Sequence, residues 1–300
     1  MAVPGVFIID AIGACLAGLI SPEVAVARML LACASAAQIV AALDPAPSTD
    51  PAWAAMRRLA LDRAGQLDAL AAQVRQTAGN HSAHGNTPAE GVARIAAFFD
   101  GAVAYSPEAS VAVYSLGDPA ILAQATAEIV DWLPWPATPP DVLDLGCGIG
   151  RLTAALAPRC RSVLGLDVSA GMVMEARRRH PGLRFEQTDG QTLNWPAQSL
   201  DMVLAVDSFP YIVQNGPVTV ARHIAGAAQA LRPGGALVIL NLSYRDDSSL
   251  DRADAAAWCA YGFMLSVAGA RPFRLWDGAA YVLRRVQCLQ PSLKSLSDAG

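Results

Sequence analysis

Hydrophobic positions change their spacing part-way along this chain. Up to about residue 130 they recur every three or four residues: Ile8, Ile12, Leu16 and Leu19; then Val26, Leu30, Cys33, Ala37 and Val40; later Trp53, Met56, Leu67, Leu70 and Val74. That period puts them on one face of a helix. A capping side chain followed by proline recurs at Ser21-Pro22, Asp50-Pro51, Thr87-Pro88, Ser106-Pro107 and Asp118-Pro119. Proline suits a first helical position, where its missing N–H would be unpaired anyway. Thr87 also has Glu90 three residues on, a capping box. After Pro140 short apolar runs alternate with helical stretches: DVLDL, SVLGLD, LRFEQTD, LDMVLAVD and ALVILNL. That alternation predicts a parallel sheet with helices on both faces. RPFRLW and AAYVLRRV, around Asp277-Gly278, read as two strands joined by a tight turn, an antiparallel edge.

The prolines of WLPWPATPP divide the textures. We therefore expect a helical N-terminal region over 1–135, serving as lid and acceptor pocket, an α/β domain over 136–290 and a tail over 291–300. The polar stretch TAGNHSAHGNTP is either a linker or a loop over a site.

Composition narrows the class. Of 300 residues 53% are hydrophobic and 16% charged, enough to fill a core, and the net charge is −4. No basic run is present to grip a phosphate backbone, which argues against nucleic acid as a partner. The uncharged stretch Met29–Leu43 is shorter than the ~20 residues of a spanning helix, so no membrane partner is expected. The six cysteines are scattered with no CxxC pair, the usage of a reducing, cytoplasmic setting.

The chemistry concentrates in VLDLGCGIGRL. Glycine clusters cost backbone entropy, so this turn is very tight or something approaches its backbone closely. The dinucleotide fingerprint GxGxxG fails here, because the third glycine falls at Gly150 and Arg151 takes its place. No Gly-Lys-Ser/Thr follows, so a P-loop fails too. What fits is acid-x-Gly-x-Gly-x-Gly: Asp144, Gly146, Gly148 and Gly150. Downstream stand VLGLDVSAGMVMEARRR, QTDG, SLDMVLAVDSFPYI and LRPGGALVIL, in that order. With these segments, about half the chain resembles the class I S-adenosylmethionine (SAM)-dependent methyltransferases.

The resemblance implies an α/β fold: a Rossmann-like, doubly wound, mostly parallel seven-stranded sheet with an antiparallel C-terminal strand, plus the all-helical N-terminal region. It implies SAM as cofactor. Gly146, Cys147 and Gly148 would lie against its methionine part, and Gly150 would let the following helix pack on the sheet. Asp167 would take the ribose diol, with Val168 beside it. Asp144 would support the turn and the ligand's amino group, or simply cap the turn. Met172 would pack on adenine or in the core. Asp189 and Gly190 would meet the adenine amino group, unless Asp189 is a turn acid. Asp207 would touch the SAM amine or the acceptor, or cap the next turn. Tyr114, Ser115 and the Gly117 backbone would close over the SAM carboxylate, or form a turn between helices.

Methyl transfer needs donor and acceptor in line, and a base only where the nucleophile carries a proton. No fixed catalytic residue follows. The candidates are Asp207, Tyr211, which would line the acceptor pocket or simply pack, and the loop histidines His81 and His84. The HxxH pair lacks further ligands for a metal, so no metal is expected. His223, inside a helix, reads as structural. The expected activity is methyl transfer to a small-molecule acceptor. The alternatives are a non-catalytic SAM-binding or scaffold protein of the same fold, and a nicotinamide oxidoreductase, which Arg151 opposes. Nothing in the pattern names the acceptor or an oligomeric state.

Overall fold

The structure, a computed structural model, describes residues 4–44, 49–78, 87–245 and 247–286. Its N-terminal part holds α1 (Pro4–Leu16), α2 (Pro22–Ala32), α3 (Ala36–Leu43), α4 (Pro51–Asp62), α5 (Ala64–Ala78), α6 (Pro88–Tyr105), α7 (Pro107–Val111) and α8 (Pro119–Trp132). The expected caps are made: Ser21 accepts from the Val24 N–H, Asp50 from Ala52, Thr87 from Glu90, Ser106 from Ala109, and Asp118 from Ala120 and Ile121. Two helical faces differ from the expectation. Among the described side chains of α1, Ala11 and Cys15 are buried and Ile8 and Ile12 partly so, whereas Leu16, and Leu19 beyond the helix, are exposed. The long apolar face from Val26 to Val40 is broken, because Ser35 caps a new helix by accepting from the Gln38 N–H, and α2 and α3 bend by 114°. Among the described residues no single helix is long and apolar enough to cross a membrane.

The remainder runs β1 (Asp141–Leu145), α9 (Arg151–Leu156), β2 (Ser162–Asp167), α10 (Ala170–Arg179), β3 (Arg184–Gln187), β4 (Leu200–Val206), α11 (Phe209–Gln214), α12 (Pro217–Ala230), β5 (Leu231–Leu240), α13 (Ser248–Ala257), β6 (Phe263–Ala270) and β7 (Ala280–Arg285). These strands form one seven-stranded sheet in the order β3-β2-β1-β4-β5-β7-β6. β1 to β5 pair in parallel, and β7 runs antiparallel to both β5 and β6. The expected hairpin is corrected. RPFRLW is not a strand; the strand before β7 is FMLSVAGA, Phe263–Ala270. In the connecting segment Phe273 and Trp276 turn inward and are buried beside β4, β5 and α8, which ties it down as a loop.

Alternate residues of the central strands feed two cores. Leu143, Val203, Leu237 and Ile239 face α12 and α11; Val142, Met202, Leu204 and Val238 face α8 and α9. A separate core lies among the N-terminal helices, around Met29, Ile39, Met56 and Leu67. Truncating any of these fully buried side chains to alanine costs about 2–5 kcal/mol.

The two parts are fastened at several points. Asp100 of α6 accepts from Ser169 Oγ and, at 2.8 Å, from the Gly171 N–H, so it holds the first turn of α10. Arg28 of α2 grips Asp277 through two nitrogens, and Arg271 reaches the same carboxylate at 3.1 Å. Glu128 of α8 accepts from the Arg274 and Leu275 N–H groups at 2.9 and 2.8 Å. These ties bring α6 and α2 over the carboxyl ends of the strands. The expected tail lies outside the described residues.

Candidate active site

The chain leaves β1 toward β2 on one side, while β4 lies on the other, so the strand order reverses beside β1. Open α/β sheets bind ligands at the carboxyl ends of strands at such a point. A cavity of about 340 Å³ sits there, walled by the turn after β1, the ends of β2, β4 and β5, and helices α6 and α7.

The glycine turn forms one wall. Gly146, Gly148 and Gly150 have φ of 80°, 53° and 78°, the left-handed region that favours glycine. The Gly146 and Cys147 N–H groups donate to the Leu166 carbonyl of β2 at 2.7 and 2.9 Å. Close packing also demands these glycines. A Cβ on Gly146 would run into Ser208 Cβ, one on Gly148 would come within 2.6 Å of Val111, and one on Gly150 within 2.7 Å of the Phe185 ring. Gly150 thus serves helix-to-sheet packing, as expected. For Gly146 and Gly148 the neighbours that exclude a side chain are protein atoms, although both line the cavity.

Asp167 lies at the end of β2 on the cavity wall. Its Oδ2 accepts from the Gly148 N–H and its Oδ1 from the Ser169 N–H, both at 2.9 Å. Burial pushes its pKa up, against those two bonds. Asp144 is 1% exposed and does not line the cavity; Thr153 Oγ1 of α9 donates to its Oδ2 at 2.6 Å. It therefore braces the turn, and burial pushes its pKa up to about 6.

Val168, Met172, Cys147 and Gly190 also line the cavity. Burial, aided by Asp167 and Asp144, pushes the Cys147 thiol well up, so it stays protonated and inert. Asp189 stands apart: it is exposed, lies off the wall, and accepts from the Gln191 N–H at 3.0 Å as a turn acid. Thr188 and Gly190 line the cavity on either side of it. Ser115 is also off the wall. It is wholly buried, donates to the Ala112 carbonyl at 2.7 Å and accepts from the Gly117 N–H, closing its own turn.

Tyr114 does reach the wall, and its hydroxyl accepts from Arg151 at 3.0 Å. Asp207, at the end of β4, lines the opposite side with φ of 55°. Its Oδ2 accepts from Trp276 Nε1 at 2.8 Å and its Oδ1 from Asn241 Nδ2 at 3.3 Å, so it does not cap the following turn. Burial pushes its pKa up against these bonds. Tyr211 of α11 lines the same side and meets Phe99 edge to face at 5.2 Å. His223 is buried, with Nδ1 donating to the Thr219 carbonyl at 2.8 Å, and burial lowers its pKa; its ring reaches the cavity as well. His81 and His84 lie outside the described residues, and no metal-holding cluster of His, Cys, Asp and Glu occurs among those described.

Sequence reasoning missed several wall residues. Arg151 was noticed only as a departure from a fingerprint, yet its guanidinium lines the cavity and donates to Tyr114 and, at 2.9 Å, to Thr126. The available signal was its place at the first position of the helix after the turn. Trp276 and Asp277 stand just before the last strand, and Phe98-Phe99 forms an aromatic pair in α6.

The sheet with its single reversed strand, the glycine turn at the strand reversal and Asp167 beside it have the architecture of the class I SAM-dependent methyltransferase fold. Comparison with known proteins agrees: residues 142–235 match the family model described as a methyltransferase domain. Trans-aconitate 2-methyltransferase of Methylobacterium nodulans is 40% identical over 105 residues, 34% of this chain and 38% of that protein. The Deinococcus radiodurans protein of the same name is 35% identical over 145 residues, 47% of this chain and 52% of its own length. The chain thus spans about half the length of these curated relatives, or less. Among solved structures, phosphoethanolamine N-methyltransferase 1 of Haemonchus contortus, in complex with phosphoethanolamine and S-adenosylhomocysteine, is similar in fold. It has a TM-score of 0.51 and 18% identity, over 69% of this chain and 52% of that one.

Proposed function

We propose that this chain transfers the methyl group of SAM to a small-molecule acceptor held between the ends of β4 and β5 and the N-terminal helices. Asp167 carries the reading. Its carboxylate is fixed by the Gly148 and Ser169 N–H groups on the wall of a cavity at the strand reversal. Each oxygen accepts one N–H and keeps lone-pair capacity for a ribose diol. Val168 and Met172 offer an apolar flank for a purine, and the Gly146–Gly148 backbone a close approach for the amino-acid part. SAM supplies a methyl group on a cationic sulfur, which an aligned nucleophile takes in one displacement, the C–S electron pair leaving with sulfur.

The work of these residues is binding and alignment, which supplies much of the acceleration in a two-body reaction. Asp207 is held on both oxygens by Trp276 and Asn241, so it orients groups at the reacting end. The cavity continues past Asp207 to Tyr211 and Tyr244, which leaves room for an acceptor and favours an enzyme over a blocked binding protein. A small acceptor accords with the relatives named for trans-aconitate and with the net charge of −4, which disfavours nucleic acid.

The test is calorimetric titration with SAM and, separately, with NADH. Micromolar SAM binding, no NADH binding, and at least a ten-fold loss of SAM affinity in Asp167→Ala are expected. NADH binding, or no SAM binding, would overturn the proposal.

A further inference from the structure

We infer that the acceptor is an uncharged, flat aromatic molecule and not a polycarboxylate; this rests on the methyl-transfer reading above. The cavity has two ends. The glycine turn and Asp167 occupy the β1–β3 end, and Asp207, Tyr211 and Tyr244 the β4–β5 end. Across the second end the rings of Phe99, Tyr211 and Tyr244 form one continuous aromatic wall. Phe99 and Tyr211 meet edge to face at 5.2 Å, and Tyr211 and Tyr244 at 5.6 Å. Such contacts fix ring orientation and leave aromatic surface for a planar guest. Burial pushes the Tyr211 hydroxyl up, so it stays neutral across the physiological range.

Charge points the same way. Among the described residues the cavity is lined by the carboxylates of Asp167, Asp207 and Asp277, the last already paired with Arg28 and Arg271, against the single guanidinium of Arg151. That guanidinium already donates to Tyr114 and Thr126, and its charge also acts on Asp207. A tricarboxylate such as trans-aconitate would bring like charge against Asp167 and Asp207 with no second cation on the described wall to receive it. Asp207 accepts one bond on each oxygen, from Trp276 Nε1 and Asn241 Nδ2, which fixes its plane. What remains is apolar contact with ring faces, which suits an uncharged arene.

The experiment uses the full chain saturated with S-adenosylhomocysteine and two probes, 2-naphthol and trans-aconitate, each titrated by calorimetry. The expected result is 2-naphthol binding at least ten-fold tighter than trans-aconitate. Tyr244→Ala should weaken 2-naphthol about ten-fold, with Tyr244→Phe close to wild type and S-adenosylhomocysteine affinity kept in both. Tyr244 is 47% exposed, so neither variant threatens the fold. Tighter binding of trans-aconitate, no binding of 2-naphthol, or an unchanged affinity in Tyr244→Ala would overturn the acceptor class while methyl transfer stands. Failure to bind S-adenosylhomocysteine would overturn methyl transfer, and the acceptor class with it.

Discussion

Replacing Asp144 by asparagine should change how stability depends on pH, by a calculable amount. Asp144 ends β1 under the glycine turn, 1% exposed, and burial lifts its pKa from the ordinary 3.8 to about 6 despite the bond from Thr153. The folded chain then holds a proton that the unfolded chain releases near pH 4. Between those values the folded state binds more protons, so the stability this group contributes is full below about pH 4 and falls as pH rises through 6. The slope reaches about 1.4 kcal/mol per pH unit and the whole loss about 3 kcal/mol. Asparagine has no such titration. Its stability minus that of the wild type should therefore rise by about 2.5 kcal/mol between pH 4 and pH 7. The fixed cost of burying an extra amide shifts that difference by a constant, and the titrating groups that do not sense the Asp144 charge cancel. Urea denaturation of both proteins, followed by circular dichroism across that range, measures it. A flat difference would refute the argument. A difference that falls with pH would mean that Arg151 and Thr153 hold the carboxylate ionised in the fold.

Gly146→Ala should lose about 2–4 kcal/mol, since its φ of 80° is unfavourable for alanine and the new Cβ meets Ser208; urea denaturation gives the value, and a loss under 1 kcal/mol would contradict the packing described. Asp100→Ala should cost about 1–2 kcal/mol, because Ser169 Oγ and the Gly171 N–H lose their acceptor. It should also weaken S-adenosylhomocysteine binding, since α6 is released from α10; unchanged binding by calorimetry would mean that α6 is held over the cavity by other contacts. Trp276→Phe removes the Nε1 donor from Asp207 and should destabilise the fold by about 1–3 kcal/mol. Equal stability of variant and wild type in urea would show that water replaces the indole N–H.

The α/β half of the molecule was largely legible because its constraints are local. A strand feeding Gly146, Gly148 and Gly150 needs left-handed backbone at fixed positions, and an acid ending the next strand needs only to be read in order. The proline caps were legible for the same reason, since Ser21, Thr87 and Asp118 each bond a backbone group two or three residues away. What escaped depends on contacts between distant residues. Asp189 sits in the expected motif, yet its side chain turns outward to Gln191 while Thr188 and Gly190 line the cavity. Ser115 was offered to a ligand, but its hydroxyl closes its own turn. The strand Phe263–Ala270 was overlooked because its alternation is weak in side-chain size, with Ser266 and Gly269 among the larger residues. The bond from Trp276 to Asp207 spans 69 residues, and no local pattern announces it.

This division between local and distant constraints bears on where acceptor selectivity resides. The cofactor end of the cavity is built from one turn and the ends of adjacent strands, so few sequences satisfy it and its residues read as motifs. The acceptor end is built from α6, the start of α11 and the segment after β5, brought together by ties that leave their side chains free to vary. Asp100 holds α6 on α10, and the clasp of Arg28 and Arg271 on Asp277 holds α2 beside Trp276. None of these ties requires the residue facing the cavity to be Phe99, Tyr211 or Tyr244. A ring there can be exchanged for a cation without disturbing the anchoring contacts, whereas Gly146 cannot be exchanged without moving Ser208. Relatives that share the segment 142–235 can therefore keep one cofactor and differ in acceptor. It follows that the acceptor of this chain has to be read from its own aromatic wall, which its resemblance to the trans-aconitate enzymes does not determine.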